Sequence, residues 1–564
     1  MNIINGTIDR RVALLTASNL TEIPFSRTDP PDEVIERVFV GRVQQLKDAA
    51  WRVVDRPRNI LVLGGYGLGK TTFIRKLLRE LHGAKTVRFL TGYAPLQTDS
   101  PQGFQFAALS ALVDGALRRA EPGSPLQQFA LKTRDELARL DLSVSESLRA
   151  PHLRFQEGLE LAHRQGFKRV VIAVDEIDKR DAQVVQSLLM GSRFFLDMEA
   201  SFLLTGRFLD AFSDVTASLL AAFDHRVELR PFSAEECQEI IQRNLAIARP
   251  EGCSLPPTSL EPFEEPVIEE INRRARGLPR PLNLMAEGAL QEALRESMET
   301  NATRITVTLK HLDGALRSEG NLVFNQVGAE ARQMLARIFQ RNGYIGGADL
   351  DALSSGGLPE AMRSLEELAR RDAVLPLGRA DETAFALSPA VEQSLTTLQQ
   401  LHERLQALWS DVLTVTDKNT SGRALEAFAA AFFGESFRVT ERNAKTDTEE
   451  LDLVLERTER TDPRFNDTYF LVECKNWKAQ SVGQKVISEL VGKMVTHRRK
   501  QAFLLASGEV TPEAKTQAIH ARSSAGVEII VLDGRDLQGF LGSMRTVGDF
   551  LNEKHKSQTL LRTF

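Results

Sequence analysis

The sequence predicts a multidomain α/β protein, with a parallel-sheet domain near the N-terminus, helical units in the middle and a second α/β domain at the C-terminal end. Three observations predict it. The chain has 564 residues, and a domain usually holds roughly 100–200. Short unbroken apolar runs recur at residues 59–64 (NILVLG), 86–90 (TVRFL), 169–174 (RVVIAV), 201–205 (SFLLT) and 226–229 (RVEL), mostly separated by helical segments. Unbroken runs, unlike alternating ones, mark strands buried on both faces, as in a parallel sheet flanked by helices. After Pro231 the pattern turns helical for a long stretch, and longer apolar strands return from residues 450–455 and 469–477 onward.

Composition narrows the possible functions. Hydrophobic residues make up 42% and charged residues 26%, an ordinary globular balance. The net charge of −5 and pI near 6.1 exclude a general nucleic-acid coating protein, so any DNA contact must come from a local patch. Cys237, Cys253 and Cys474 lack the paired spacing of a zinc site or disulfide framework and read as reduced thiols. The opening MNIINGTIDRR has no apolar signal core, and no run approaches the roughly 18 apolar residues of a membrane span. A soluble, cytoplasmic protein without a membrane partner is expected.

Taken in order, the elements divide the chain into an N-terminal extension (1–36), a sheet core (37–230) and a helical lid (231–320), which holds SAEECQEIIQRNLAIA, PVIEEINRRARG and PLNLMAEGALQEALRES. Residues 321–400 follow as a winged-helix unit. Ala331, Met334, Leu335 and Ile338 share one helical face, GLPEAMRSLEELARRD is a second helix, and AVLPLGRADETAFALS reads as two strands around a Gly378–Asp381 turn. The second helix carries Arg363, Arg370 and Arg371 but also Glu360, Glu366 and Glu367. That mixed charge weakens the case for phosphate contact, so DNA binding and protein contact both stay open. A connecting helix and polar linker (401–422) lead to the last domain, 423–564.

A phosphate site is written into the first domain. Gly64, Gly65, Tyr66, Gly67, Leu68, Gly69, Lys70 and Thr71, followed by Thr72, fit G-x-x-x-x-G-K-[ST] directly between a buried strand and a helix. The glycines let backbone N–H groups turn inward around phosphate. The helix beginning at Lys70 adds its positive end. Lys70 is expected to reach the β- and γ-phosphates, and the Thr71 hydroxyl to ligate Mg²⁺. The apolar run 170–174 ends in Asp175 and Glu176, where unpaired carboxylates would be costly without a purpose. Asp175 would hold the Mg²⁺ shell and Glu176 would polarise the attacking water; Asp178 reads as a helix cap.

These segments resemble the AAA+ ATPases, specifically their origin-recognition and STAND-like branches, over residues 39–289. The resemblance implies further roles. Phe39-Val40-Gly41-Arg42 is similar to the box that contacts adenine, and Thr205 stands where a polar sensor residue is placed, with Arg207 a second candidate. Arg226 resembles an arginine finger, although STAND-type members lack one and it also reads as an edge charge. Gly277-Leu278-Pro279-Arg280 resembles the lid motif whose arginine touches the γ-phosphate. ATP, and either oligomerisation or a nucleotide-gated switch, are implied.

The second site lies in the last domain. Glu473 and Lys475 are two apart in the strand YFLVECKNW and project to the same face, with Cys474 turned the other way into packing. If ELDLVL pairs with that strand, Asp452 joins them. Two carboxylates can hold Mg²⁺, which polarises a scissile phosphate and lowers the pKa of its bound water; Lys475 can orient that water or stabilise charge on the phosphate. This pattern resembles the PD-(D/E)xK nucleases, and within them the Mrr-like restriction endonucleases, over residues 423–541. The resemblance adds Glu426 as an accessory acid and Gln484 as a polar residue near the site; Leu451 stands where the family's proline would be.

The combined expectation is an ATP-regulated, Mg²⁺-dependent DNA endonuclease of restriction or anti-phage defence type. It would act on double-stranded DNA, with a nucleotide-dependent homo-oligomer and a partner or phage-derived trigger as its other contacts. A DNA-binding ATPase switch that keeps its nuclease fold for docking is the alternative, and an RNA-cleaving toxin is a third reading.

Overall fold

A computed structural model describes residues 3–560 apart from 26–30, 66, 139–150, 178–179, 181, 207–222, 301, 354–356, 378–383, 446–449, 459–460 and 479. Tyr66, Asp178, Arg207 and the turn at 378–381 therefore lie outside the described residues. The chain divides into two compact units, Met1–Gln393 and Ser394–Phe564.

The first unit is built on five parallel strands: β1 (Ile60–Leu63), β2 (Phe89–Pro95), β3 (Arg169–Asp175), β4 (Ser201–Gly206) and β5 (His225–Glu228), in the order β2-β3-β4-β1-β5. Both faces are buried, which is why the runs are unbroken. Ile60 and Val62 pack with Phe73, Ile74 and Leu77 of the helix Lys70–Gly83. Leu61 and Leu63 face a separate core with Phe104 and Phe202.

All five strand expectations are met, but β2 is displaced towards the C-terminus. Its Thr-Gly-Tyr-Ala-Pro half contains two residues that usually end strands. Gly92 is there for packing: a Cβ at that position would collide with the Ala111 carbonyl of the helix Pro101–Arg119.

The segment expected as a helical lid comprises the helices Ala234–Ile247, Glu265–Ala275, Pro279–Glu299 and Leu309–Gln326. Ser233 and Glu236 form a reciprocal capping box at its start. Leu14, Leu15, Leu20 and Phe25 of the N-terminal extension are buried in the same core as Ile241 and Leu290, so this part of the extension packs with these helices. The last lid helix runs through the expected boundary at 320.

The next segment has the helices Ala329–Gln340 and Leu358–Arg370 and a small antiparallel sheet of β6 (Tyr344–Gly346), β7 (Val374–Pro376) and β8 (Ala384–Leu387), ordered β6-β8-β7. The helix Pro389–Thr414 carries the chain across the division between the units.

In the second unit that helix is no linker, because Leu405, Trp409 and Val412 are buried with Phe428 and Phe432. The polar stretch 416–422 proves to be a helix start: the Asp417 carboxylate accepts from the Thr420 N–H at 2.9 Å and caps the helix Lys418–Phe433. Five strands follow: β9 (Phe437–Lys445), β10 (Glu450–Arg457), β11 (Tyr469–Lys475), β12 (Gln501–Ala506) and β13 (Glu528–Leu532), in the order β13-β12-β11-β10-β9. The β9-β10-β11 pairs are antiparallel and the β11-β12-β13 pairs parallel. β9 lies at the sheet edge, and its charged sequence FRVTERNAK carries no apolar run to announce it. Among the described residues, no helix is long and apolar enough to cross a membrane.

Candidate functional sites

At the nucleotide site, β1 ends at Leu63 and the chain turns through the glycine loop into the helix Lys70–Gly83. Gly67 and Gly69 take φ of 78° and 79°, left-handed conformations that glycine adopts without strain. Lys70 is only 6% exposed. Its Nζ donates to the carbonyls of Gly64 at 3.0 Å and Gly65 at 2.9 Å, folding the ammonium back into the loop. Thr71 and Thr72 occupy the helix's first turn.

Asp175, 1% exposed at the end of β3, accepts from the Glu176 N–H at 2.7 Å and from the Tyr93 hydroxyl at 2.9 Å. Glu176 has φ of 66°, a left-handed conformation that is strained for a residue with a side chain. Thr205 is buried on β4, in register with Val62 of β1, so it lies between the Asp175 strand and the loop strand. Tyr93 lies on the neighbouring strand, 82 positions before Asp175, and no local pattern points to that bond.

The lid and the N-terminal extension complete the surroundings. Arg42 donates to the Leu68 carbonyl at 2.7 Å, and its guanidinium stands 4.1 Å from the Phe232 ring centre. Burial pushes its pKa down to about 10. The predicted base-contacting arginine thus anchors the loop's backbone. Gly41, at φ of 62°, passes close to the Glu236 side chain. Beside Gly69 and Thr72 is a cavity of about 300 Å³ lined by Ile23, Phe25, Val40, Phe232, Ile240 and Asn244. Its apolar walls and few polar groups suit a flat heterocycle.

Arg280 lies against the loop: a Cβ at Gly67 would stand 3.2 Å from the Arg280 Cβ. Its guanidinium pairs with Asp372 at 3.0 Å. Arg226 is not brought to the loop of its own chain. It is exposed on the edge strand β5, level with Leu61, two residues short of the strand end that feeds the loop.

In the second unit, β10 and β11 pair antiparallel with Leu453 opposite Val472, which brings Asp452 beside the end of β11. The Asp452 carboxylate accepts from the Cys474 N–H at 2.7 Å. Glu473 is nearly buried, its side chain 8% exposed, and both its oxygens are engaged. Lys475 Nζ is 2.6 Å from Oε1 and Lys493 Nζ is 2.8 Å from Oε2. Burial, and then repulsion from Glu473, raise Asp452 to about 6. The Lys475 ammonium is raised by Glu473 and Asp452, although burial alone would lower it. Cys474 packs against the phenylalanine-rich core, as expected of the residue between the two.

Burial above all raises the Cys474 thiol, and Glu426, on the helix Lys418–Phe433, is close enough to add to that rise with Asp452 and Glu473. Gln484 opens the helix Gln484–Thr496 and is exposed. It stands nine positions before Lys493, half a turn round the helix, so Lys493 and not Gln484 is presented to the carboxylates. Asn476, next to Lys475, fixes the strand end: its Nδ2 donates to Ser421 Oγ at 2.8 Å, and Ser507 donates to its Oδ1 at 2.6 Å. Lys493 and Asn476 are not predicted from the sequence; their one signal is a lysine on the rim of the helix that follows β11.

Among the described residues, no three His, Cys, Asp or Glu side chains form a metal cage. Two carboxylates nevertheless suit Mg²⁺, which commonly takes one or two from protein and fills its shell with water and phosphate oxygens.

Residues 38–193 match the family model described as the AAA ATPase domain, and residues 418–541 match the Mrr catalytic-domain model, described as restriction endonuclease. No curated protein matches the chain. Among solved structures, the Aeropyrum pernix ORC2 protein in its ADPNP-ADP complexes is similar at 14% identity and a TM-score of 0.38, over 65% of this chain and 98% of that one. The Aeropyrum pernix ORC1 protein in complex with DNA is similar at 17% identity and 0.35, over 66% and 97%. The Thermotoga maritima RuvB Holliday junction branch migration motor is similar at 15% identity and 0.31, over 64% and 95%.

Proposed function

One chain carries an AAA ATPase domain and a restriction endonuclease domain, and from that pairing we propose an endonuclease that cleaves double-stranded DNA with Mg²⁺ under the control of ATP. The observation that carries the reading is the meeting of Asp452, Glu473 and Lys475 at one end of β10 and β11. Asp452 and Glu473 are the residues that would hold the metal, with Glu426 behind them. When bound, Mg²⁺ supplies a polarised phosphate and an acidified water. Lys475 orients that water or meets the charge developing on the phosphate. Asn476 and Ser421 keep the strand end in place while this happens.

The regulatory half rests on contacts within the first unit. Leu375 of β7 packs with Leu68 of the loop and Leu278 of the lid, and a Cβ at Gly65 would stand 2.9 Å from the Pro376 carbonyl. Arg280 bonds Asp372, just before β7. A nucleotide that draws Lys70 out of the loop and Arg280 towards its phosphates alters the surface on which this segment rests. We read the segment as a winged helix, the active form as a nucleotide-dependent homo-oligomer with Arg226 reaching a neighbour's site, and the setting as cytoplasmic anti-phage defence. An unregulated nuclease would harm its host.

Supercoiled plasmid, Mg²⁺ with an EDTA control, and ATP present or absent test the proposal. Lys475→Ala should lower cleavage by about 10²–10³-fold while ATP hydrolysis persists. Lys70→Ala should abolish ATP hydrolysis and change the cleavage rate. Wild-type cleavage by Lys475→Ala sinks the nuclease assignment, and cleavage indifferent to Lys70→Ala sinks the regulation.

A further inference from the structure

Glu473 is held from two directions. Lys475 approaches along its own strand, whereas Lys493 comes from the helix Gln484–Thr496, 20 positions away in sequence. Packing does not require Lys493 to be there. Val486, Ile487, Leu490 and Met494 already bury that helix against the sheet, and an ion pair this buried must overcome the desolvation of both partners. The Lys493 side chain is 18% exposed and the Glu473 side chain 8%. The Lys493 ammonium has a second acceptor, the Glu450 carbonyl at 2.8 Å. It can therefore let go of the carboxylate without leaving the site.

The local charges count in the same direction. Asp452 and Glu473 contribute −2, and Lys475 and Lys493 contribute +2, so these four balance without a metal, with Glu426 a further acid beside them. With an ammonium on each Glu473 oxygen, a divalent cation that takes Glu473 as a direct ligand at about 2.0–2.1 Å competes with the ammonium already on that oxygen.

We infer that Lys493 is a built-in competitor for the metal. It is a positioning residue that holds Glu473 in its ligating place while no metal is bound, and it is displaced towards the Glu450 carbonyl when a divalent cation arrives. It thereby sets the metal concentration at which the nuclease turns on. The inference rests on the proposed nuclease reading. A merely structural lysine would behave differently on removal, lowering stability and leaving metal affinity unchanged or weaker.

The test is Mn²⁺ titration of the full chain by calorimetry without nucleotide, comparing wild type, Lys493→Met, Lys493→Gln and Lys493→Arg. Glu473→Gln serves as the variant lacking the site. Lys493→Met should bind Mn²⁺ about tenfold more tightly, the worth of one charge-assisted hydrogen bond. Its half-saturating Mg²⁺ for plasmid cleavage should fall in parallel, and Lys493→Arg should stay near wild type. If Lys493→Met fails to fold, Lys493→Gln removes the same charge and gives the same comparison. Unchanged or weaker Mn²⁺ binding by the neutral variants, with the Glu473→Gln signal lost, overturns the competitor role alone. A Glu473→Gln titration identical to wild type overturns the metal site itself.

Discussion

Asp452 gives the nuclease site its pH dependence. Its pKa of about 6 in the folded protein lies above the ordinary 3.8, so the native state holds this proton more tightly than the unfolded chain does. The sign follows from linkage. Ionising Asp452 destabilises the metal-free protein, a penalty absent below pH 3.8, growing between pH 3.8 and 6, and complete above 6. Asp452→Asn keeps an oxygen for the Cys474 N–H and removes the charge. It should therefore stabilise the metal-free nuclease unit by about 3 kcal/mol at pH 8, with the gain fading towards pH 4, as calorimetry of the full chain would read it. A gain independent of pH would contradict the assignment. Metal must also displace this proton, so wild-type Mg²⁺-dependent cleavage should rise with pH up to about 6 and then level off. Glu473 and Lys475 were legible in the sequence because the strand period of two places them on one face. Lys493 and Tyr93 were not, because each reaches its carboxylate from an element that only the folded topology brings near.

The position of β2 shows what an apolar pattern alone misses. Its apolar run predicts a start at Thr86, three residues before the strand begins, and Gly92 and Pro95 look like a strand end. Gly92 is required because the helix Pro101–Arg119 lies so close that Gly92 faces the Ala111 carbonyl and Gly115 faces the Thr91 carbonyl, and Pro95 is tolerated at the end of an edge strand. Two glycines 23 positions apart thus make one backbone contact, and periodicity has no means of linking them. The contact matters for the ATPase because Tyr93, next to Gly92, bonds Asp175. Gly92→Ala puts a methyl group into backbone that has no flexible end to yield. The expected loss is about 1–3 kcal/mol in the first unit, seen as a lower thermal transition for that unit, together with weaker ATP hydrolysis as Tyr93 shifts. An unaltered transition would mean that helix and strand can separate freely. The unbroken strands β1, β3 and β4 needed no such information and were placed to within one or two residues.

The division of the whole chain was the least legible feature, and its physical cause is specific. The helix Pro389–Thr414 reads as a connector because its polar residues outnumber its apolar ones, yet Leu405, Trp409 and Val412 are 0%, 5% and 0% exposed in the core of the second unit. A nuclease fragment beginning at 423, the boundary the sequence suggested, loses all three. It also cuts the helix Lys418–Phe433 and discards the Asp417 cap and Ser421, which holds Asn476. Each buried side chain is worth about 1.5–3 kcal/mol, so the loss is roughly 6 kcal/mol. That is comparable with the roughly 5–15 kcal/mol that holds a typical domain together. Residues 394–564 expressed alone should melt cooperatively and bind Mn²⁺ through Glu473, whereas residues 423–564 should be unfolded or aggregated. Circular dichroism melts of the two fragments decide it. A cooperative melt of the shorter fragment at the temperature of the longer one would show that the helix before 414 is dispensable after all.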